Sequence, residues 1–400
     1  MTETPPERSI AARARELGRR LASLPLALLG MLAIVVAFES YLAAHPYDFT
    51  DMSATDWRLS RKAATDEALK ADVLLFGDSL LKFGAVPELF ERETGLDAFN
   101  LSVLGGQAAT SYFLLRRTLE AGARPRAVVV DCQDMPAPAG HGLRGLGVRA
   151  HIRNWPELLG LRDAIELAVA ARDPELLGSL VARMALTSLK ARSEVRSGLS
   201  RLIRRGATSS RYVAQVQRRN WRLHDGSILM APKSVAPTRI TAEQLATPRS
   251  RWADDPVSGE FLRKFVGLAT SRSIPVFFLI PPTSPEHEGL RERVGQHLYY
   301  TELARGLQDE FPGVVVIDGR DSSYARRVFI DDSHLDRLGA VRYTNDVVEA
   351  MLATRVDGRF GAVGPRWFVL PAYRDGPDAG PLEDFDGSRM ALDTKGRPRR

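Results

Sequence analysis

The stretch Val73-Leu74-Leu75-Phe76-Gly77-Asp78-Ser79-Leu80 decides the fold of this 400-residue chain. Four apolar residues followed by Gly-Asp-Ser are typical of a buried strand that turns sharply into a helix. Such a turn lifts the serine hydroxyl above the end of a sheet, beside the free backbone N–H groups of the helix start. Ser79 is therefore a candidate nucleophile. The structural alternative is that Ser79 only caps the helix.

A possible partner for Ser79 lies far downstream, in Phe329-Ile330-Asp331-Asp332-Ser333-His334. A nucleophilic serine needs a base for its proton, and the base needs an acceptor on its other ring nitrogen. Asp331 and His334 are three residues apart and fit on one short turn, so they complete a candidate triad. None of the other six histidines follows a strand with a comparable acidic neighbour.

These two blocks, in this order, resemble those of the GDSL/SGNH hydrolase superfamily. Members carry a further block, an asparagine followed five residues later by a glycine, and Asn100 and Gly105 match it. The resemblance implies a three-layer α/β/α fold with a flavodoxin-like parallel sheet. It also implies an oxyanion hole formed by the backbone N–H groups of Ser79 and Gly105, a feature that contributes strongly to acyl chemistry.

A fourth block departs from the pattern of that superfamily. Members have Gly-x-Asn-Asp after the third strand, whereas this chain has Asp131-Cys132-Gln133-Asp134. Gln133 stands at the position of the asparagine, and its amide can donate the same hydrogen bond from a longer side chain. Loss of such a donor costs about 2.7–4 kcal/mol of transition-state stabilisation. Membrane-tethered relatives that resemble alginate O-acetylation proteins and teichoic acid D-alanyl transfer proteins also vary here.

The N-terminal region predicts a single transmembrane helix between Leu21 and Ala44. Its first 18 residues are uncharged and span about 27 Å at 1.5 Å per residue. The leader, residues 1–20, contains five arginines at positions 8, 13, 15, 19 and 20. Because these basic residues lie on the N-terminal side of the apolar segment, they predict a cytoplasmic N-terminus. The rest of the chain would then lie on the periplasmic side of a bacterial-type cytoplasmic membrane. A cleaved signal peptide and a buried helix are the alternatives.

Strands alternate with helices in the remaining sequence, which predicts a parallel sheet with both faces covered. The predicted strands are residues 73–76, 98–101, 127–131, 274–280 and 314–318, and the predicted helices lie near residues 87–95, 107–119, 298–310 and 339–352. Ligands of such sheets bind at the carboxyl ends of the strands, where the candidate residues lie. The predicted catalytic domain is residues 51–355, and residues 356–400 are predicted to be an extended or disordered tail.

Residues 136–255 form a mostly helical insertion with a strongly basic segment. Between Arg183 and Arg222 this segment has eleven Lys or Arg residues and one acid, Glu194. The resulting local charge of +10 exceeds the +6 of the whole chain. The segment suits contact with anionic lipid head groups or an anionic glycan, or it is a solvated helix face. Nucleic acid is disfavoured because the predicted topology keeps this surface outside the cell.

The composition predicts a globular domain without a cofactor. The chain is 44% hydrophobic, enough for a sizeable core. Its single cysteine, Cys132, excludes an intramolecular disulfide and is expected to be buried. No His/Cys cluster has metal-ligand spacing, and no glycine-rich loop resembles a nucleotide site.

The resemblance and the triad together suggest an acyl-serine intermediate. Transfer to water makes the protein an esterase. Transfer to a glycan hydroxyl makes it an O-acyltransferase, acetylating a cell-envelope or exported polysaccharide with an acyl donor from a membrane-bound O-acyltransferase. A membrane anchor favours transfer because tethering raises the effective concentration of such a donor. A non-catalytic accessory subunit of the same system is a further alternative.

Overall fold

The computed structural model describes residues 26–132, 137–138, 145–192, 194–196, 210–233, 252–253, 255–361, 363–375 and 382–396. Six strands form the main sheet: β1 Val73–Phe76, β2 Ala98–Asn100, β3 Ala127–Asp131, β4 Val276–Ile280, β5 Val314–Asp318 and β6 Trp367–Val369. Their order is β2-β1-β3-β4-β5-β6, and every neighbouring pair is parallel. The predicted α/β class with a parallel sheet is confirmed.

The sheet is buried on both faces, which explains why its central strands are almost entirely apolar. In β1, Leu74 and Phe76 belong to one hydrophobic cluster, and Val73 and Leu75 belong to the other. Because successive side chains point to opposite faces, one short apolar strand contributes to both cores. The carboxyl ends of the strands therefore remain the place where polar side chains can gather.

Sixteen α-helices are present in the described part of the chain. They are α1 Leu26–Ala44, α2 Met52–Ala63, α3 Ser79–Gly84, α4 Pro87–Thr94, α5 Ala108–Glu120, α6 Leu146–Ala150, α7 Trp155–Leu158, α8 Leu161–Ala171, α9 Pro174–Ala185, α10 Thr187–Lys190, α11 Ser210–Leu223, α12 Pro256–Thr270, α13 Pro285–Val294, α14 Gln296–Glu310, α15 Arg337–Leu352 and α16 Phe385–Gly396. Helices α5 and α12 pack together over one face of the sheet, and α4 and α15 cover the other. Residues 137–138 and 252–253 form a short antiparallel pair.

Helix α2 is part of the core, although no helix was predicted for these residues. Trp57 is fully buried, and its Nε1–H donates to the carbonyl of Leu104 over 2.8 Å. Asp51 starts the helix by accepting a hydrogen bond from the N–H of Ala54 at 2.7 Å. Helix α2 therefore supports the loop after β2 through the contact of Trp57 with Leu104.

Residues beyond 356 differ from the predicted tail. Residues Trp367–Val369 add β6 to the edge of the sheet, in register with β5 through Val316 and Trp367. A three-residue edge strand is too short to show a periodicity of its own, so the sequence pattern missed it.

The helix that follows β6, α16, packs against α11 of the insertion. Glu383, just before α16, accepts two hydrogen bonds from Arg219 at 2.7 Å each. Its backbone carbonyl also accepts from Asn220 and lies 2.7 Å from His224 Nε2. These contacts bind the C-terminal region to the insertion.

The predicted anchor corresponds only partly to described residues. Helix α1 is apolar, with exposed side chains such as Ile34 and Val36. Within the residues that the structure describes, no helix has both the length and the apolar character needed to cross a membrane. The start of the predicted anchor at Leu21, and the leader before it, lie outside the described residues.

The described parts of the insertion are mostly helical, from α6 to α11. In the basic segment, several cations have acidic partners: Lys190 pairs with Glu157, Arg211 with Asp48, and Arg219 with Glu383. Residues 193 and 197–209 of that segment lie outside the described residues. The predicted contact with lipid or glycan stays a prediction.

Candidate active site

The turn after β1 holds Ser79 at the start of α3. Gly77 has a φ of +147°, and a Cβ at this position would collide with the carboxylate of Asp131, so only glycine fits. Asp78 then caps the helix by accepting a hydrogen bond from the N–H of Leu80 at 2.7 Å. Ser79 is the first residue of α3, and the residue that caps this helix is Asp78 and not Ser79.

The three predicted triad residues come together at the carboxyl edge of the sheet. Ser79 Oγ lies 2.7 Å from His334 Nε2, and His334 Nδ1 lies 2.7 Å from Asp331 Oδ2. The other carboxylate oxygen of Asp331 accepts hydrogen bonds from the N–H groups of Ser333 and His334. Phe83 meets the imidazole edge to face at a centroid distance of 5.1 Å. The turn therefore fixes both the carboxylate and the ring.

The charge of Asp331 determines which nitrogen of His334 carries the proton. Partial burial acts to raise the pKa of Asp331, but the His334 hydrogen bond and the two backbone N–H groups hold it well below its usual range. An ionised carboxylate can only accept, so Nδ1 donates to it. Nε2 of the neutral ring is then free to accept the hydroxyl proton of Ser79.

The predicted oxyanion-hole residues Ser79 and Gly105 both have available N–H groups. Neither N–H has an acceptor among the described residues. Gly105 has a φ of +67° in the turn after β2. This turn is tied to β1, because the N–H of Val103 donates to the carbonyl of Gly77 at 3.1 Å. Gln133, the predicted third donor, lies outside the described residues.

Asn100 connects the turn that contains Gly105, the candidate oxyanion turn, with α3, the candidate nucleophile helix. Its Nδ2 donates to the carbonyl of Leu81 and to Ser227 Oγ, each at 2.9 Å. Its Oδ1 accepts from the N–H of Ser102 at 2.9 Å. Asn100 is fully buried, and its contacts serve to position these two elements.

A buried ion pair that the sequence did not reveal links the same two elements. Lys82 of α3 and Asp56 of α2 are both fully buried, and Lys82 Nζ lies 3.2 Å from Asp56 Oδ1. Asp56 Oδ2 accepts from the N–H of Leu104 at 2.8 Å, directly before Gly105. Lys82 also donates to the carbonyl of Gly226 at 2.7 Å. The oxyanion turn is thus attached to the nucleophile helix through this ion pair and the hydrogen bond from Leu104 to Asp56.

Asp131, at the end of β3, lies behind the nucleophile turn. Its Oδ1 accepts from the N–H of Asp78 at 2.9 Å. Burial, and then the nearby carboxyl of Asp78, raise the pKa of Asp131 well above its ordinary value. Both effects favour the protonated form of Asp131. The one sequence signal that could have identified Asp131 as a site residue was its position at the end of a strand next to β1.

His151, from the insertion, borders the oxyanion turn. Its ring occupies the space that a Cβ on Gly105 would need, and it stacks on Trp57 at a centroid distance of 6.3 Å. Burial, and then the charge of Arg153, lower the pKa of His151. Both effects favour the neutral form of this imidazole. No local pattern identified His151, because the contact depends on how the insertion folds back.

The chain matches no protein-family model, and no curated protein is similar to it. Among the described residues, no three His, Cys, Asp or Glu side chains are grouped so that they could hold a metal ion. Cys132 is buried, as predicted. The functional argument therefore rests on the geometry of the site.

Proposed function

We propose that this protein is a membrane-anchored, extracytoplasmic serine O-acyltransferase of SGNH hydrolase type. Its substrates would be an acyl donor, with acetyl as the transferred group, and hydroxyl groups of a cell-envelope or exported polysaccharide. One observation carries the proposal: a continuous hydrogen-bonded chain from Ser79 through His334 to Asp331, beside two available N–H groups.

The chemistry follows from this chain of hydrogen bonds. His334 Nε2 takes the proton of Ser79 while Oγ attacks the acyl carbonyl, and the resulting oxyanion accepts hydrogen bonds from the N–H groups of Ser79 and Gly105. His334 then gives its proton to the leaving group, which leaves an acyl-serine. In the second half, His334 takes the proton of an acceptor hydroxyl, whose oxygen attacks the acyl group and frees Ser79.

The exposure of the triad supports a large acceptor. The side chain of Asp331 is 50% exposed and that of His334 is 22% exposed, so the site is near the surface. A polymer can approach such a site without entering a deep pocket. The apolar helix α1 supports attachment to a membrane, which would keep the enzyme next to a membrane-bound acyl donor.

Labelling with a fluorophosphonate tests whether Ser79 is activated. The full-length chain in detergent micelles is exposed to the reagent, and intact mass is measured. We expect one adduct in the wild type and in Asp332→Asn, a control on the same turn, and none in Ser79→Ala or His334→Ala. The absence of an adduct on folded wild-type protein would contradict the enzyme proposal and favour the accessory subunit.

A second experiment separates transfer from hydrolysis. The protein is given 4-nitrophenyl acetate as donor and a panel of neutral and acidic polysaccharides as acceptors. We expect Ser79-dependent acetyl esters on one class of polysaccharide, measured by mass spectrometry after digestion. Release of acetate alone with every acceptor would contradict transfer and identify a carboxylester hydrolase.

A further inference from the structure

A cavity of about 160 Å³, lined by both apolar and charged side chains, lies where the end of α1 meets the insertion. Its walls come from Leu42 and Ala43 of α1, from α2 with the loop before it, and from helices α7 and α10. No triad residue lines it. One water molecule needs about 30 Å³, so this space is large enough for a small ligand.

Part of the wall carries an excess of positive charge. Arg58 donates hydrogen bonds of 2.9 and 2.8 Å to Glu157, and Lys190 Nζ lies 3.2 Å from the same carboxylate. Burial acts to raise the pKa of Glu157, but the bonds from Arg58 keep it below its ordinary value. Two cations therefore share one ionised acid, and Arg58 Nη1 has no hydrogen-bond partner in the described part of the chain.

The wall also contains two further carboxylates beside a third cation. Arg153 lies 3.5 Å from Asp51 and 3.1 Å from Glu194. The charged side chains that line the cavity therefore sum to zero, and the wall offers groups of both signs. Such a wall complements a ligand that carries one negative and one positive group.

Asn154, the residue after Arg153, supplies an unsatisfied hydrogen-bond acceptor in the cavity wall. Its side chain lines the cavity and is only 4% exposed. Its Oδ1 has no hydrogen-bond partner among the described residues. A buried amide oxygen without a donor is costly, so an occupant that donates a hydrogen bond would remove a penalty.

We propose that this cavity binds the phosphoethanolamine head group of a membrane phospholipid. The phosphate contacts Arg58 and Lys190, and the ammonium donates to Asn154 Oδ1 and to the carboxylates of Asp51 and Glu194. The acyl chains lie along the exposed apolar side chains of α1, which borders the cavity. This inference rests on the membrane attachment proposed above, but it does not depend on the triad.

Native mass spectrometry of the full-length chain tests the proposal. The protein is released from micelles that contain phosphatidylethanolamine, phosphatidylcholine or phosphatidylglycerol, and bound lipids are counted. Phosphatidylcholine lacks ammonium N–H donors, and phosphatidylglycerol lacks the positive charge. Because one hydrogen bond to a charged group contributes about 1.5–3 kcal/mol, we expect at least about tenfold greater retention of phosphatidylethanolamine.

Variants identify the cavity as the site of binding. Asn154→Leu and Lys190→Gln should each lower phosphatidylethanolamine retention about tenfold. Asn345→Leu makes the same exchange as Asn154→Leu at a half-buried position on α15, far from the cavity lining, and should retain the lipid. Thermal unfolding of each variant checks that the fold is kept.

Three outcomes would overturn the proposal. The first is equal retention of the three lipids, and the second is retention that neither variant changes. The third is equally tight binding of soluble glycerophosphoethanolamine, which would assign the site to a tail-free ester instead of a membrane lipid. Fluorophosphonate labelling of Ser79 is read separately, so failure of the lipid site and failure of the acyltransferase proposal are distinguishable.

Discussion

Asp331 holds His334 in the tautomer that Ser79 needs, and an amide at this position would reverse that choice. In Asp331→Asn, the side-chain amide can donate to Nδ1, which leaves the proton on Nε2 and removes the base. We expect kcat for 4-nitrophenyl acetate to fall about 10³- to 10⁴-fold with a smaller change in KM.

Asp332→Asn is the matched control for this substitution, because it changes the next carboxylate on the same turn. Asp332 contacts Arg326 at 3.2 Å and does not contact the imidazole. Steady-state kinetics between pH 6 and pH 9 compares the two variants. Equal activity of Asp331→Asn and the wild type would contradict the proposed role of Asp331.

Asp131 makes the stability of the protein depend on pH. Its pKa is raised in the folded state by burial and by Asp78. The stability that it contributes is therefore fully present below its unfolded pKa of about 3.9 and is lost as pH rises toward the folded pKa. Asp131→Asn removes this loss while its Oδ1 can still accept from Asp78.

We expect the variant Asp131→Asn to gain stability relative to the wild type as pH rises above 4. The difference should grow by up to about 1.4 kcal/mol per pH unit until the folded pKa is reached. Urea unfolding at pH 4, 6 and 8 measures it. A difference that does not change with pH would show that Asp131 is ionised in the fold.

At the scale of elements, the buried pair of Asp56 and Lys82 joins α2 to α3 and supports the oxyanion turn. Removal of one partner leaves an uncompensated charge, which costs about 3–5 kcal/mol. We therefore expect Lys82→Met to be strongly destabilised in urea unfolding. The double variant Asp56→Asn/Lys82→Met should recover part of this loss, and additive losses would argue against coupling.

The turn at Gly105 depends on a contact between two distant elements. Alanine there would be strained at a φ of +67°, by about 1–2 kcal/mol, and its Cβ would collide with His151. We expect Gly105→Ala to lose kcat/KM for 4-nitrophenyl acetate. Gly105→Ala/His151→Ala should recover part of that loss, because the collision is removed while the strain remains.

Two results would count against this account of the turn. Full activity in Gly105→Ala would mean that the turn accommodates a Cβ without moving the N–H of this residue. A double variant as impaired as Gly105→Ala would mean that the ring of His151 does not restrict this position. His151→Ala alone is the control for effects of the imidazole itself.

The first five strands could be predicted from the sequence because each is a short apolar run followed by polar or turn residues. The predicted strand over residues 274–280 is shorter in the structure, at Val276–Ile280. Strand β6 and helix α2 were not predicted. Both depend on tertiary packing: β6 is stabilised by pairing with β5, and α2 by burial of Trp57.

For the molecule as a whole, the candidate triad was predictable because each of its parts is local to a strand end. A parallel sheet brings such ends to one edge whatever the length of chain between them. The positions of His151, of the Asp56–Lys82 pair and of the cavity were not predictable. They depend on how the insertion and α2 pack on the sheet, and no local pattern encodes that arrangement.

The contacts of Glu383 have a consequence for the order in which the protein matures. Glu383 is synthesised about 160 residues after its partners Arg219, Asn220 and His224. Their contacts with Glu383 therefore cannot form before that point. At ribosomal speeds of about 5–20 residues per second, that delay is on the order of ten seconds. During translation, Ser79 is therefore made early, whereas the contacts between the insertion and Glu383 form only late. A chain that ends between His334 and Glu383 would carry the triad without these contacts.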